Sequence, residues 1–468
     1  MTSRSYYNNK YANKHMSSNS GFKDSVVELL KANKLAGYWF KNGVMSLALA
    51  GIYSIILVLL RTPILVNLFS NTDLFKSALV IHVNLSILVW LISIVACIWS
   101  YKLPPSILSI ACVISAFIGT LLIAITPIFG ETVAVMNNYI PMLENITFIL
   151  GISLFGISVL LFSIFVLYNL LINWLHDKVL GTKLITFTIF STAFIFVLVW
   201  ICFVSSYLQL QKIVAIIPVD IELYYELLFW SGGHLLQFLY TQVLIFVWII
   251  LCQAWLNREL KLKPIYLGVL YLNFAVSTVA VLGHLLFDII DGEFKAFYTR
   301  QMQYGGGIAP TIAFVIMLYE LYTDRQKNKG SDTAKTIMLC SSILFFSGAV
   351  FGILISGMNV SIPAHYHGSI VGISVALMGF SVMLCSNSAG EKRNYFSIAV
   401  ITLTIGQMLH IIALLLAGGY GVLRKTPGVE MSISSKILMG IMGGGGLIAI
   451  VGGLMFVIIC ARKILFTD

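Results

Sequence analysis

Charge is what this sequence has least of. Only 10% of its 468 residues are Asp, Glu, Lys or Arg, while 59% are apolar. Soluble domains carry about a quarter charged residues, so a chain wholly surrounded by water is excluded. Cysteine is sparse and scattered. Cys97, Cys112, Cys202, Cys252, Cys340, Cys385 and Cys460 all fall in apolar runs. No pair is spaced CxxC and none forms CxxCH, which excludes a thiol metal knuckle and covalent haem attachment; buried thiols are expected instead. The first forty residues are polar and basic, so no cleavable leader is expected.

Long apolar runs are abundant. Runs of roughly 18 or more residues recur at 43–60, 77–99, 106–129, 146–172, 184–208, 222–255, 264–290, 304–322, 336–357, 364–385, 395–418 and 435–461. The expected fold class is all-α, a polytopic membrane bundle of about twelve transmembrane helices. A polar, partly disordered tail over residues 1–41 precedes one membrane domain over 42–465, and "DSVVELLKANKL" is expected to lie along the membrane surface. The net charge of +10 does not point to nucleic acid. Most Lys and Arg cluster in the tails and in alternate turns, around Lys102, Lys178, Arg258, Arg325 and Lys392. That is the positive-inside pattern, and it predicts both termini in the cytoplasm, as for a bacterial inner membrane or its equivalent.

Eight histidines punctuate the chain. His15 sits in the polar head and His176 in a basic turn. His82, His234, His284, His365, His367 and His410 all lie within apolar runs, where a polar side chain must be satisfied internally. With cytoplasmic termini, all six fall in the outer half of the bilayer. Imidazoles gathered at one depth on five helices suit a metal or haem site. "PAHYHG" adds direction. Residues two apart on a helix diverge by about 200°, so His365 and His367 serve two centres on opposite sides of one helix.

These residues carry a resemblance. The chain resembles catalytic subunit I of the haem–copper oxidase superfamily, which embraces oxygen reductases and nitric oxide reductases, over nearly its whole length after residue 42. The family's W-x-x-G-H is matched by "WSGGH", Trp230 to His234, and its H-x-H by "HYH". "IHVNL" supplies the second-span histidine, "GHLLF" a seventh-span histidine, and "GQMLHIIALLLAGGYGVLRK" the end of the eleventh span. The resemblance implies two haems, one low-spin between His82 and His367 and one high-spin on His365. A copper or non-haem iron would face the latter, held by His234 and His284, with Trp230 beside the site and Arg424 and Lys425 meeting haem propionates. It also implies partner oxidase subunits, an electron-donor subunit, quinol or cytochrome c as donor, and O2 or NO as substrate.

Three departures bear on mechanism. Leu285 stands where the family has a third histidine for the facing metal. Asp288 is one helical turn beyond His284 and could complete the ligand set. Phe238 stands four residues after His234, where oxidases place a cross-linking tyrosine and nitric oxide reductases a glutamate; Tyr240 diverges from that direction. The usual acid, amide and lysine positions of cytoplasmic proton input are not matched, whereas Asp220, Glu222, Glu226, Asp288, Asp291 and Glu293 cluster outside. The expected function is respiratory reduction of O2. The alternatives are reduction of NO, a non-catalytic two-haem relative in electron transfer or gas sensing, and an ordinary twelve-span transporter.

Overall fold

A computed structural model describes residues 22–61, 72–176, 182–324, 330–355, 357, 359–385, 394–422 and 432–466. The tail before residue 22 and the pair Arg424 and Lys425 lie outside the described residues.

Among the described residues, twelve helices are long and apolar enough to cross a membrane: Lys34–Leu60, Asp73–Trp99, Ile107–Ile128, Ile146–Leu175, Lys183–Val214, Ile221–Leu256, Lys263–Leu286, Gly292–Tyr322, Asp332–Ile353, Ser361–Cys385, Tyr395–Gly419 and Ile433–Ile464. They are numbered here as spans 1 to 12, and each overlaps the run that hydropathy predicts. A short helix, Phe22–Lys31, precedes span 1. Its Val26, Val27 and Leu30 are buried against the bundle, so this stretch is packed on protein, at least along one face.

Span 6 is the axis of the bundle: 94% of its most apolar window is buried inside the protein, against 28% for spans 1 and 12. Polar side chains stitch the inner spans together, because between helices in lipid they supply attraction that apolar contact does not. Trp248 Nε1 donates to Ser341 Oγ on span 9 at 2.9 Å, and Ser341 Oγ donates to Gly372 O on span 10 at 2.7 Å. Trp90 Nε1 on span 2 donates to Ser374 Oγ on span 10 at 2.9 Å. Gln242, Asn273 and Ser191 join spans 5, 6 and 7 through bonds of 2.8 Å.

Among the described residues, four spans depart from regular α-helix, span 3 only in its last turn, Thr126–Ile128. Span 2 carries a π segment at Asn84–Val89, directly after His82. Span 7 tightens to a 3-10 turn at Val279–Leu282, directly before His284. Span 8 carries a second π segment at Met302–Gly306. Between spans 3 and 4 the chain forms a small hairpin, pairing Ala134 with Leu143 and Val135 with Met142.

Candidate functional site

The two histidines of "HYH" face different neighbours, as their spacing requires. His365 Nδ1 lies 2.7 Å from Gly348 O on span 9. Gly352, one turn on, leaves the space: a Cβ there would stand 2.6 Å from His365 Nδ1. His367 instead stacks with Tyr366 and lies against His410 of span 11, with ring centroids 5.1 Å apart.

Four of the six intramembrane imidazoles are anchored in one way. His82 Nδ1 is 2.9 Å from Ala50 O, His234 Nδ1 is 2.8 Å from Trp230 O, His365 Nδ1 is 2.7 Å from Gly348 O, and His410 Nδ1 is 2.9 Å from Met442 O. A carbonyl only accepts, so each Nδ1 carries the proton and donates it. Each Nε2 then holds the lone pair, the form in which histidine ligates iron or copper. Such an outer hydrogen bond is what orients a ligating imidazole. The donor chemistry of His82 and His365 therefore fits haem iron.

His234, in the N-terminal half of span 6, and His284, near the C-terminal end of span 7, share neighbours. His284 Nε2 lies 3.0 Å from Ser231 Oγ, one turn before His234. Tyr298 of span 8 packs against both rings, with centroids 5.9 Å from His234 and 6.2 Å from His284. Its hydroxyl donates to Ala280 O at 2.8 Å, in the 3-10 turn below His284. Gly283 is required beside it, since a Cβ there would meet Tyr298 Oη at 2.5 Å. Gln209 completes the surround, accepting from Ile289 N at 3.1 Å.

The hairpin between spans 3 and 4 delivers Tyr139 to His234. Its hydroxyl lies 2.8 Å from Nδ1 and 2.9 Å from Nε2, so it bears on the ring and is aligned with neither lone pair. Burial, and then the nearby Glu226 carboxylate, hold the phenol of Tyr139 well above the usual tyrosine value, so it stays neutral. Glu226 in turn accepts from Asn138 N at 2.9 Å. Trp230 packs on both Tyr139 and His234, donates to Lys295 O at 3.2 Å, and carries Lys295 Nζ over its ring.

The geometry corrects the expectation for Asp288. Span 7 ends at Leu286 and Phe287 is extended, with φ −136° and ψ 144°. Asp288 therefore leaves the helix, is exposed, and does not lie one turn above His284. Among the described residues, no group of three His, Cys, Asp or Glu is placed to hold a metal. His234 and His284 thus stand as a pair of imidazoles sharing Tyr298 as a neighbour, and Asp288 does not add a third donor to them. Leu285 is 74% exposed, so that position points out of the bundle in this chain. Phe238 is fully buried, and Tyr240 turns to span 2, its hydroxyl 3.4 Å from Ile87 O.

Tyr139, Tyr298, Ser231 and Gln209 escaped sequence reasoning. Tyr298 sits in a polar stretch and Tyr139 in a loop, so neither has a periodic pattern to mark it. Gly233 was the available signal. A Cβ there would lie 2.2 Å from Tyr139 Cγ, which is why glycine precedes His234.

Comparison with known proteins identifies the family and the fold. Residues 34–454 match the family described as Cytochrome C and Quinol oxidase polypeptide I. The chain is similar to an uncharacterized protein of Rickettsia prowazekii (strain Madrid E), 46% identical over 499 aligned positions that cover 93% of this chain and 96% of the relative. It is also similar to an uncharacterized protein of Aquifex aeolicus (strain VF5), 30% identical over 345 positions that cover 74% and 83% of the two chains. In fold it is similar to a heme-copper terminal oxidase solved as a dimer, with TM-score 0.70 at 16% identity, covering 94% of this chain and 84% of that one. A twelve-span bundle with this histidine pattern and this match belongs to the cytochrome c and quinol oxidase polypeptide I family of membrane oxidoreductases.

Proposed function

We propose that the chain is the haem-bearing subunit of a terminal oxidase that reduces O2. In this reading His82 and His367 hold a low-spin haem, His365 holds a high-spin haem, and His234 with His284 hold a copper or non-haem iron. When bound, these groups supply electron transfer and the reduction of a small acceptor. The observation that carries the reading is the shared Nδ1–H anchoring of His82, His234 and His365, which presents Nε2 at each.

The chain's own residues have definite tasks. Ala50, Trp230 and Gly348 fix the imidazole tautomers through their carbonyls. Tyr139 and Tyr298 wall the outer pocket with neutral phenols, hold His234 and His284 in place and keep bulk water off them. Cytoplasmic termini fit the distribution of Lys and Arg, and partner subunits would supply the electron path from cytochrome c or quinol. Arg424 and Lys425 would meet haem propionates.

NO reduction is the second reading. It is favoured by the two-imidazole metal seat and by Phe238, which has no phenol to donate an electron and proton. A two-haem relative without turnover is favoured by the same seat. Purified protein is expected to hold two haems per chain and to consume O2 faster than NO. Faster NO consumption would transfer the reading to nitric oxide reduction, and two haems with no turnover to the non-catalytic alternative.

A further inference from the structure

His410 has no task in the scheme above, yet it sits against one of the proposed haem ligands. Its ring centroid is 5.1 Å from that of His367, with the planes tilted by 58°. An N–H···N contact of about 2.9 Å between two imidazoles sets the ring centres on the order of 5 Å apart. His410 is built into this place. Its Nδ1–H is committed to Met442 O at 2.9 Å, which leaves the lone pair on Nε2. Span 12 makes room with two glycines: a Cβ on Gly445 would stand 2.6 Å from His410 N, and one on Gly446 3.4 Å from His410 Nδ1.

A ligating histidine presents its second ring N–H to an acceptor, and the acceptor tunes its basicity. For His82 and His365 the acceptor is a backbone carbonyl. An imidazole nitrogen is a stronger base than a carbonyl oxygen. We propose that His410 Nε2 accepts the second ring N–H of His367, giving that ligand imidazolate character. His410 is then a positioning residue that acts on the low-spin haem through His367. Its effect is to favour the ferric state and lower the reduction potential, so that electron passage toward the haem on His365 is more downhill.

The inference rests on the assignment of His367 to a low-spin haem. The test is optical redox titration and electron paramagnetic resonance of the purified holoprotein, comparing wild type with His410→Leu and His410→Gln. His410→Leu is expected to raise the low-spin potential by about 59 mV, a tenfold change for one electron, and to shift the low-spin g-values toward those of neutral imidazole ligation. His410→Gln, whose amide oxygen also accepts, is expected to shift both in the same direction by less. Low-spin haem retained in either variant with potential and g-values of wild type overturns the inference. So does loss of the low-spin haem in both variants, because His410 would then act as a ligand or a structural support. Wild-type protein without any low-spin haem contradicts the assignment of His367 itself, and the inference falls with it.

Discussion

At the scale of single residues, the site depends on where a side chain is missing as much as on where one is present. Gly233 admits Tyr139 to the ring of His234, and Gly352 admits His365. Gly233→Ala forces Tyr139 aside, and loss of the metal proposed at His234 and His284 is expected with the low-spin spectrum retained; metal analysis alongside the optical spectrum checks it. Leu285 makes a contrary case. Because it is 74% exposed, Leu285→His is expected to add no third ligand, and metal content per chain should stay at the wild-type value. A gain of bound metal would mean that span 7 can rewind. The histidines were legible from the sequence because an imidazole in an apolar run stands out. Their partners were not, because Ala50, Gly348 and Trp230 act through backbone carbonyls, which every residue has.

At the scale of elements, hydropathy reads the spans and misses their irregularities. All twelve runs were legible because each must be apolar for about 20 residues. The π segments at Asn84–Val89 and Met302–Gly306 and the 3-10 turn at Val279–Leu282 follow from packing, which leaves no simple trace in composition. Each adjoins the site, and such turns in long helices often mark functional positions. The expectation for Asp288 failed here, because the extended Phe287 ends the helix that would have aligned Asp288 with His284. Elsewhere one clamp secures the C-terminal end of span 8: Glu320, 1% exposed, accepts from Arg258 Nη1 at 2.9 Å and from Leu262 N at 2.9 Å. Removing Glu320 leaves the Leu262 N–H without its acceptor, while Arg258 keeps Asp324 at 3.4 Å, a loss of about 1–3 kcal/mol. Glu320→Ala should therefore lower the thermal midpoint in detergent by a few degrees, while Glu259→Ala, at an exposed i,i+4 pair with Lys263, should leave it nearly unchanged.

At the scale of the whole molecule, five spans and one interhelical hairpin supply the side chains of two regions. One is His234 with His284, Tyr139 and Tyr298; the other is His367 with His410. His365 lies on the same helix as His367 but turns to span 9, so one helix presents its two imidazoles to different neighbours. That division was legible in three letters, "HYH", because helix geometry alone forces it. The hairpin was not legible, since a loop is placed by what it covers. The central claim is that this chain carries two haems in different ligation. Its most direct test is haem content by pyridine haemochrome with low- and high-spin optical spectra, on wild type and His365→Ala. The account predicts two haems per chain in wild type, and loss of the high-spin signal alone in the variant. A single haem in wild type, or loss of both signals in His365→Ala, would contradict it.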